Sequence, residues 1–164
     1  MPKLVTWILA VTLLSGCGFQ LRGQTQLPSD IKVMGVQAPN VQVRDELAIF
    51  LGNSGVKVVP AASTADSDAV LSVGAETYNR RVLSVDPRTG KAREFELSYS
   101  FDFNVVDSDG KTLVKPQSVL LLRDFVFDED AVIGKSREEG VLREEMRRDA
   151  IQQLMRRLQA SLGS

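Results

Sequence analysis

The stretch from Glu94 to Val106 constrains this chain more than any other. Phe95, Leu97, Tyr99, Phe101, Phe103 and Val105 share one parity, and Glu94, Glu96, Ser98, Ser100, Asp102 and Asn104 share the other. Successive side chains of an extended strand point to opposite faces, so the pattern predicts one buried and one wet face. That is the habit of an antiparallel sheet covered on one side only. Partners flank it. Ala69 to Val85 is rich in β-formers. A third run spans about Lys111 to Phe127, with Pro116 marking a bulge or an edge. Asp86-Pro87-Arg88-Thr89-Gly90 and Asp107-Ser108-Asp109-Gly110 read as the two connecting turns.

Upstream, Ile31 to Val36 predicts a short first strand, stopped by Pro39. Asn40 is placed to cap a helix whose apolar stripe is Val43, Leu47, Phe50 and Leu51, with Gly55 as its C-terminal glycine. Val56 to Val59 is a second short strand, and Ala61 to Ser67 a small polar loop. At the other end, Ser136-Arg137-Glu138-Glu139 matches a capping box. Leu142, Met146, Ala150, Ile151, Leu154, Leu158 and Leu162 follow as one helical stripe. The order β-α-β-β-β-β-α predicts an α+β fold. It is a two-layer sandwich, with two helices packed on one face of a mostly antiparallel four- to five-stranded sheet, formed by residues 31–164 as a single domain.

The first residues do not belong to that domain. Lys3 precedes an apolar run from Leu4 to Leu14, too short to span a bilayer, and Leu14-Ser15-Gly16-Cys17 follows. The tetrapeptide resembles a lipobox and ends in the chain's single cysteine. Residues 1–16 are therefore expected to be a lipoprotein-type signal peptide, Cys17 the acylated residue, and residues 17–30 a polar tether. Three acyl chains hold a protein durably where one holds it marginally. Gly18, rather than Asp, after Cys17 resembles the pattern sorted to the outer membrane.

Composition removes several chemistries. There is no histidine, and acylation of Cys17 would leave no free thiol. Ser-His-Asp and Cys-His catalysis and the usual zinc ligand sets are excluded. No disulfide is available to the fold. With a formal charge of −1, the chain has no general affinity for nucleic acid. Gly134-Lys135-Ser136 lacks the upstream glycine of a phosphate loop, since Glu129 stands there. Ser108-Asp109-Gly110-Lys111 has the spacing of a Ser/Lys nucleophile but lies in a hairpin turn. Asp128-Glu129-Asp130 reads as solvated charge, and the arginines of the last helix as a solvated, salt-bridged face. Neither catalytic nor metal-binding residues are expected, and no cofactor beyond the lipid on Cys17. A carboxylate-only glycosidase would need two acids converging in a cleft, which this distribution does not offer.

The basic hairpin stands apart. Arg80, Arg81, Arg88, Lys91 and Arg93 cluster around the Asp86–Gly90 turn, opposed there only by Asp86, and Lys135 precedes the last helix. Charges on a protruding tip and beside a helix N-terminus suit an anion. The plainer alternative is that they keep a strand edge soluble.

Several short motifs, in order and spacing, resemble one family over nearly the whole mature chain. They are Cys17-Gly18-Phe19-Gln20-Leu21-Arg22, Pro28-Ser29 before Lys32-Val33-Met34, and Arg88-x-Gly90 leading into Glu94-Phe95. Arg123-x-Phe125 and Ala150-x-x-Gln153-Leu154 complete the set. The chain is thereby similar to the LptE lipopolysaccharide-assembly lipoproteins. The resemblance implies a non-enzymatic outer-membrane lipoprotein on the periplasmic side. It implies a 1:1 complex with the LptD β-barrel, whose lumen it plugs and whose assembly it helps, and binding of lipopolysaccharide. Arg88 and Lys135 occupy the family's ligand-binding positions, with Lys91 and Arg93 as further candidates. A polar sheet face would suit a barrel lumen. The alternative is a stand-alone lipoprotein that scaffolds envelope complexes or binds cell-wall glycan.

Overall fold

The computed structural model describes residues 30–60, 66–128 and 131–163. The expected signal peptide, Cys17 and nearly all of the tether lie outside the described residues, as do residues 61–65 of the polar loop and Glu129-Asp130. The elements are β1 (Val33–Gln37), α1 (Val41–Asn53), β2 (Lys57–Pro60), β3 (Ala69–Val73), β4 (Thr77–Val85), β5 (Ala92–Asp107), β6 (Thr112–Val126) and α2 (Val132–Leu162).

β5 organises the sheet. β6 pairs with one edge of it, from Glu94↔Val126 to Val106↔Thr112. β3 and β4 share the opposite edge end to end, β3 along Phe103–Asp107 and β4 along Ala92–Ser100. Six strands thus occupy five lanes, in the order β2, β1, β3/β4, β5, β6. The expected fold class holds, with a refinement. β1 is parallel to both β2 and β3, so the sheet is mixed. A helix returning the chain between β1 and β2 makes that pair parallel.

The run from Ala69 to Val85, read as one strand, follows one line but breaks after Val73. Gly74 N–H donates to Asp102 O at 2.8 Å. Glu76, in the break, accepts hydrogen bonds from the Tyr99 hydroxyl and from Asn40 Nδ2. Tyr99 is fully buried, and a buried hydroxyl without a partner is costly. The interruption brings in a carboxylate that satisfies it. Asn40 then serves twice, because its Oδ1 caps α1 through the N–H groups of Gln42 and Val43.

At the end of α1, Gly55 takes φ +83. Its N–H donates to Gly52 O and that of Val56 to Leu51 O, closing a Schellman motif. In β6, Lys115 and Pro116 lie between Val114, paired with Val105, and Gln117, paired with Phe103. Proline therefore sits in a bulge of an edge strand, where its missing N–H breaks no ladder.

The core is one cluster between the sheet and both helices. All six apolar residues of the β5 row are buried. From α1 come Val43, Leu47 and Leu51, and from α2 Met146, Ala150, Ile151, Leu154, Met155 and Leu158. Met155 was not in the expected stripe; Leu142 and Leu162 pack only partly.

α2 corrects the expected helix start. It begins at Val132, with Ala131 at the N-cap and no side-chain cap bond, so Ser136 lies inside the helix and closes no capping box. Its arginines pair as expected of a salt-bridged face, and two of them hydrogen-bond to other elements. Arg147 reaches Glu46 at 3.1 Å and Gln42 at 2.8 Å on α1, and Arg157 donates to Ser118 O at 2.6 Å. Arg123 of β6 holds Glu145 at 2.8 Å and Asp149 at 2.6 Å, one turn apart on α2. Those partners, Glu145 foremost, raise the guanidinium's pKa.

Placing a carboxylate at Phe101, on the packed face, is expected to cost more than about 3 kcal/mol. Ser100→Asp, one residue along on the other face, should change stability by less than about 1 kcal/mol. Urea unfolding of both variants measures the difference, and equal tolerance would show the face assignment to be wrong.

Candidate functional site

The β4–β5 turn is a rigid platform for basic side chains. Asp86 Oδ1 accepts the N–H groups of Arg88 at 2.8 Å and Thr89 at 3.1 Å, and Gly90 N–H donates to Asp86 O at 2.7 Å. Gly90 takes φ +73, which a side chain would strain. The Asp86 carboxyl is held below the usual carboxylate range. The Arg88 N–H is the main cause and the Thr89 N–H the next, with Arg93 contributing. Arg88 is exposed at this tip.

Lys91 closes the turn and Arg93 follows in β5. Phe127 N–H donates to Arg93 O at 2.9 Å, so the cation and the ring are cross-strand neighbours. Phe127 stands edge-on to Phe95, centroids 6.0 Å apart, and packs on Phe125 at 6.4 Å. Under the turn lies an open recess of about 400 Å³ lined by Asp86, Lys91, Arg93, Val126, Phe127 and Asp128, among others.

Lys135 belongs to the first turn of α2 rather than to a loop ahead of it. Its Nζ lies 5.5 Å above the Phe125 ring and 2.8 Å from Glu138 Oε2. With about half of the Glu138 side chain exposed, the pair is worth at most about 1 kcal/mol, so an incoming anion can compete for the lysine.

The topology brings Arg88, Lys91, Arg93 and Lys135 to one end of the sheet, where β4 ends, β5 begins, β6 ends and α2 begins. Two basic residues of the sequence cluster do other work. Arg80 pairs with Glu139 of α2 at 2.9 Å, with its guanidinium 4.4 Å from the Phe95 ring centre. Arg81 pairs with Glu96 across the strands. Tyr78 donates to Glu139 as well, with Arg143 over its ring. Burial, then the bond to Glu139, pushes the Tyr78 hydroxyl up to about 12. Arg80, Tyr78 and Arg143 thus fasten α2 to β4, and Arg81 ties β4 to β5.

Sequence reasoning missed the apolar half of this end. Val82, Leu83, Val85, Val126, Val132 and Ile133 are all exposed there, Ile133 at 76%. Starting the helix at Ser136 hid the last two. Phe127 was legible as the second aromatic of Phe125-x-Phe127. The sheet face away from the helices is polar along β5, as expected, but Leu120 and Leu122 of β6 are exposed on it. Among the described residues no three acids or cysteines gather to hold a metal ion, and no helix is long and apolar enough to cross a membrane.

A family model described as LptE, lipopolysaccharide-assembly, matches residues 29–158. The LPS-assembly lipoprotein LptE of Pectobacterium atrosepticum is 32% identical over 162 residues, covering 95% of this chain and 84% of the relative. Among solved structures, a lipoprotein B from Nitrosomonas europaea aligns with a TM-score of 0.72 and 30% identity, over 87% of this chain and 91% of that one. The rare lipoprotein B from Shewanella oneidensis gives 0.64 and 28%, over 80% and 99%. The fold thus places the chain in a class, the lipoproteins built from two helices on a mixed sheet. The chain belongs to the LptE lipopolysaccharide-assembly family. That family is non-enzymatic and outer-membrane associated, and its role lies in lipopolysaccharide transport and assembly.

Asp86 gives the tip a pH signature. Its folded pKa is depressed, so its stabilisation is fully present above the unfolded value of about 3.9 and is lost as pH falls through the folded value. Asp86→Ala should melt below wild type at pH 7, and the gap should close as pH drops below the carboxylate range. Melting curves against pH check this.

Proposed function

We propose that this chain is anchored in the outer membrane by lipid on Cys17 and plugs the lumen of the LptD β-barrel in a 1:1 complex. It helps that barrel assemble and binds lipopolysaccharide through its basic end. No cofactor beyond the covalent lipid is invoked. The observation that carries the reading is the convergence of Arg88, Lys91, Arg93 and Lys135 beside exposed apolar residues, in a chain of this family. Lipopolysaccharide joins phosphates to acyl chains, and a surface pairing cations with apolar side chains matches both halves. Geometry supports the placement too. The described chain starts at Asp30, beside the β5–β6 turn, because β1 runs parallel to β3 and Ala69 pairs with Asp107. The basic tip lies at the other end of β5, about 50 Å away at the usual rise per strand residue. An anchor upstream of Asp30 therefore leaves the basic end free to point away from the leaflet. The polar β5 face suits a wet lumen.

Three outcomes are expected. Cys17→Ala should abolish lipid labelling and cleavage before residue 17; an unlipidated mature protein beginning there in wild type would sink the anchor. Tagged protein taken from membranes in mild detergent should carry a β-barrel with it at equal stoichiometry. Its absence would favour a stand-alone lipoprotein. Arg88→Asp with Lys135→Asp should leave melting and barrel binding intact but weaken lipopolysaccharide binding by about fivefold or more. Wild-type affinity should fall with added salt. Unchanged binding by the double variant would reduce those two residues to solubilising charges.

A further inference from the structure

The long last helix is built from two unlike pieces. From Met146 on it is set into the core, with Met146, Ala150, Ile151, Leu154, Met155 and Leu158 buried. Across residues 132–141 nothing is buried, and only Lys135 and Glu139 are even half-buried. We propose that residues 132–141 are a clasped flap, which leaves the sheet and unwinds as one unit, with Glu139 as the clasp and Gly140 as the hinge.

The local sequence weakens this piece. Gly134 and Gly140 both lie within the helix, and glycine is among the poorest helix formers. Packing demands neither of them, because a Cβ at either position would meet nothing within 4 Å. Neither takes a positive φ. At the free end Ala131 makes no side-chain cap bond, and the first turn carries no acid to meet the helix dipole. Tertiary contacts hold the piece at two points on one face, four residues apart. Glu139 accepts hydrogen bonds from the Tyr78 hydroxyl at 3.1 Å and from Arg80 at 2.9 Å, and Lys135 lies over the Phe125 ring. Both contacts are polar and partly exposed, so they are weak beside the buried stripe of the later turns. Val132, Ile133 and Val141 stay exposed with the flap closed, so closure gains little from apolar burial. Once released, so short a segment cannot stay helical on its own. Unwinding stops at Gly140 because Leu142 and Met146, just beyond it, pack on the core. Lys135 rides on the flap, and its place over Phe125 exists only in the closed state.

Amide hydrogen exchange of the full-length protein in nonionic detergent, followed by NMR, reads the opening directly. Amides of residues 136–141 should share one opening equilibrium within about twofold, and be about a hundredfold or more less protected than those of 150–158. Tyr78→Phe with Arg80→Met removes the clasp from the β4 side, keeps the ring and the apolar stem, and leaves the helix sequence untouched. It should lower protection of 136–141 about fivefold and that of 150–158 by less than about twofold. Gly140→Ala should raise protection of 136–141 about fivefold. Protection that declines step by step from Leu142 toward Val132 describes a fraying end and overturns the flap. Protection of 136–141 equal to that of 150–158 overturns it as well. So does a folded double variant that leaves 136–141 unchanged or lowers both stretches alike. Unchanged protection in Gly140→Ala overturns the hinge. Melting curves establish that the variants are folded; if the double variant is not, the wild-type profile and Gly140→Ala, altered at an exposed position, decide. The measurement uses no ligand, so its outcome is independent of the proposed function.

Discussion

Burial of the Phe95–Val105 row beneath the helices is the interaction on which the rest of the structure depends. Each large apolar side chain taken from water contributes about 1.5–3 kcal/mol, so this row alone rivals the net stability of a typical domain. Because the side-chain period of a strand is two, the same burial fixes what faces the other way. It sets the register of β4 and β6 against β5, since a one-residue slip would expose every aromatic of the row. The place of the hairpin tip at the end of β5 follows from that register.

Hydrophobic burial does not by itself fix the long helix along its axis. Side chains at several levels do. Arg157 on Ser118 O, Arg123 on Glu145 and Asp149, Arg147 on Glu46, and Glu139 on Tyr78 and Arg80 tie α2 to β6, α1 and β4. Most of these charges are partly exposed, so each contributes modestly to stability. Their geometry matters more than their energy. Together they hold the first turn of α2, and with it Lys135, over Phe125 at the edge of the basic end.

That end sets cations beside apolar side chains, the two kinds of surface the proposed lipopolysaccharide ligand calls for. The exposed tip carries Arg88, the recess carries Lys91, Arg93 and Phe127, and the helix start carries Lys135 beside Val132 and Ile133. None of these residues is buried, so the proposed ligand contacts would compete with water, and affinity would come from several weak contacts acting together.

The sequence by itself determined the two faces of β5, both hairpin turns, the Asn40 cap, a bulge or edge at Pro116 and the basic composition of the tip. All of these are short-range signals, carried by alternation or by residues with special backbone demands. It also carried the family motifs. Only the tertiary structure decided what joins distant segments. Ser136 looked like a cap, but contacts of the earlier turn with the sheet carry the helix back to Val132, overriding the local preference. Tyr99, Glu76 and Asn40 meet through a break in the β3–β4 line that no local pattern announces. Arg80 and Arg93 belong to one basic run, and spacing alone does not say what either meets. The fold set the first against Glu139 of α2 and the second beside Asp86 and Phe127, because which partner a cation meets is a matter of spatial neighbours, not of spacing along the chain.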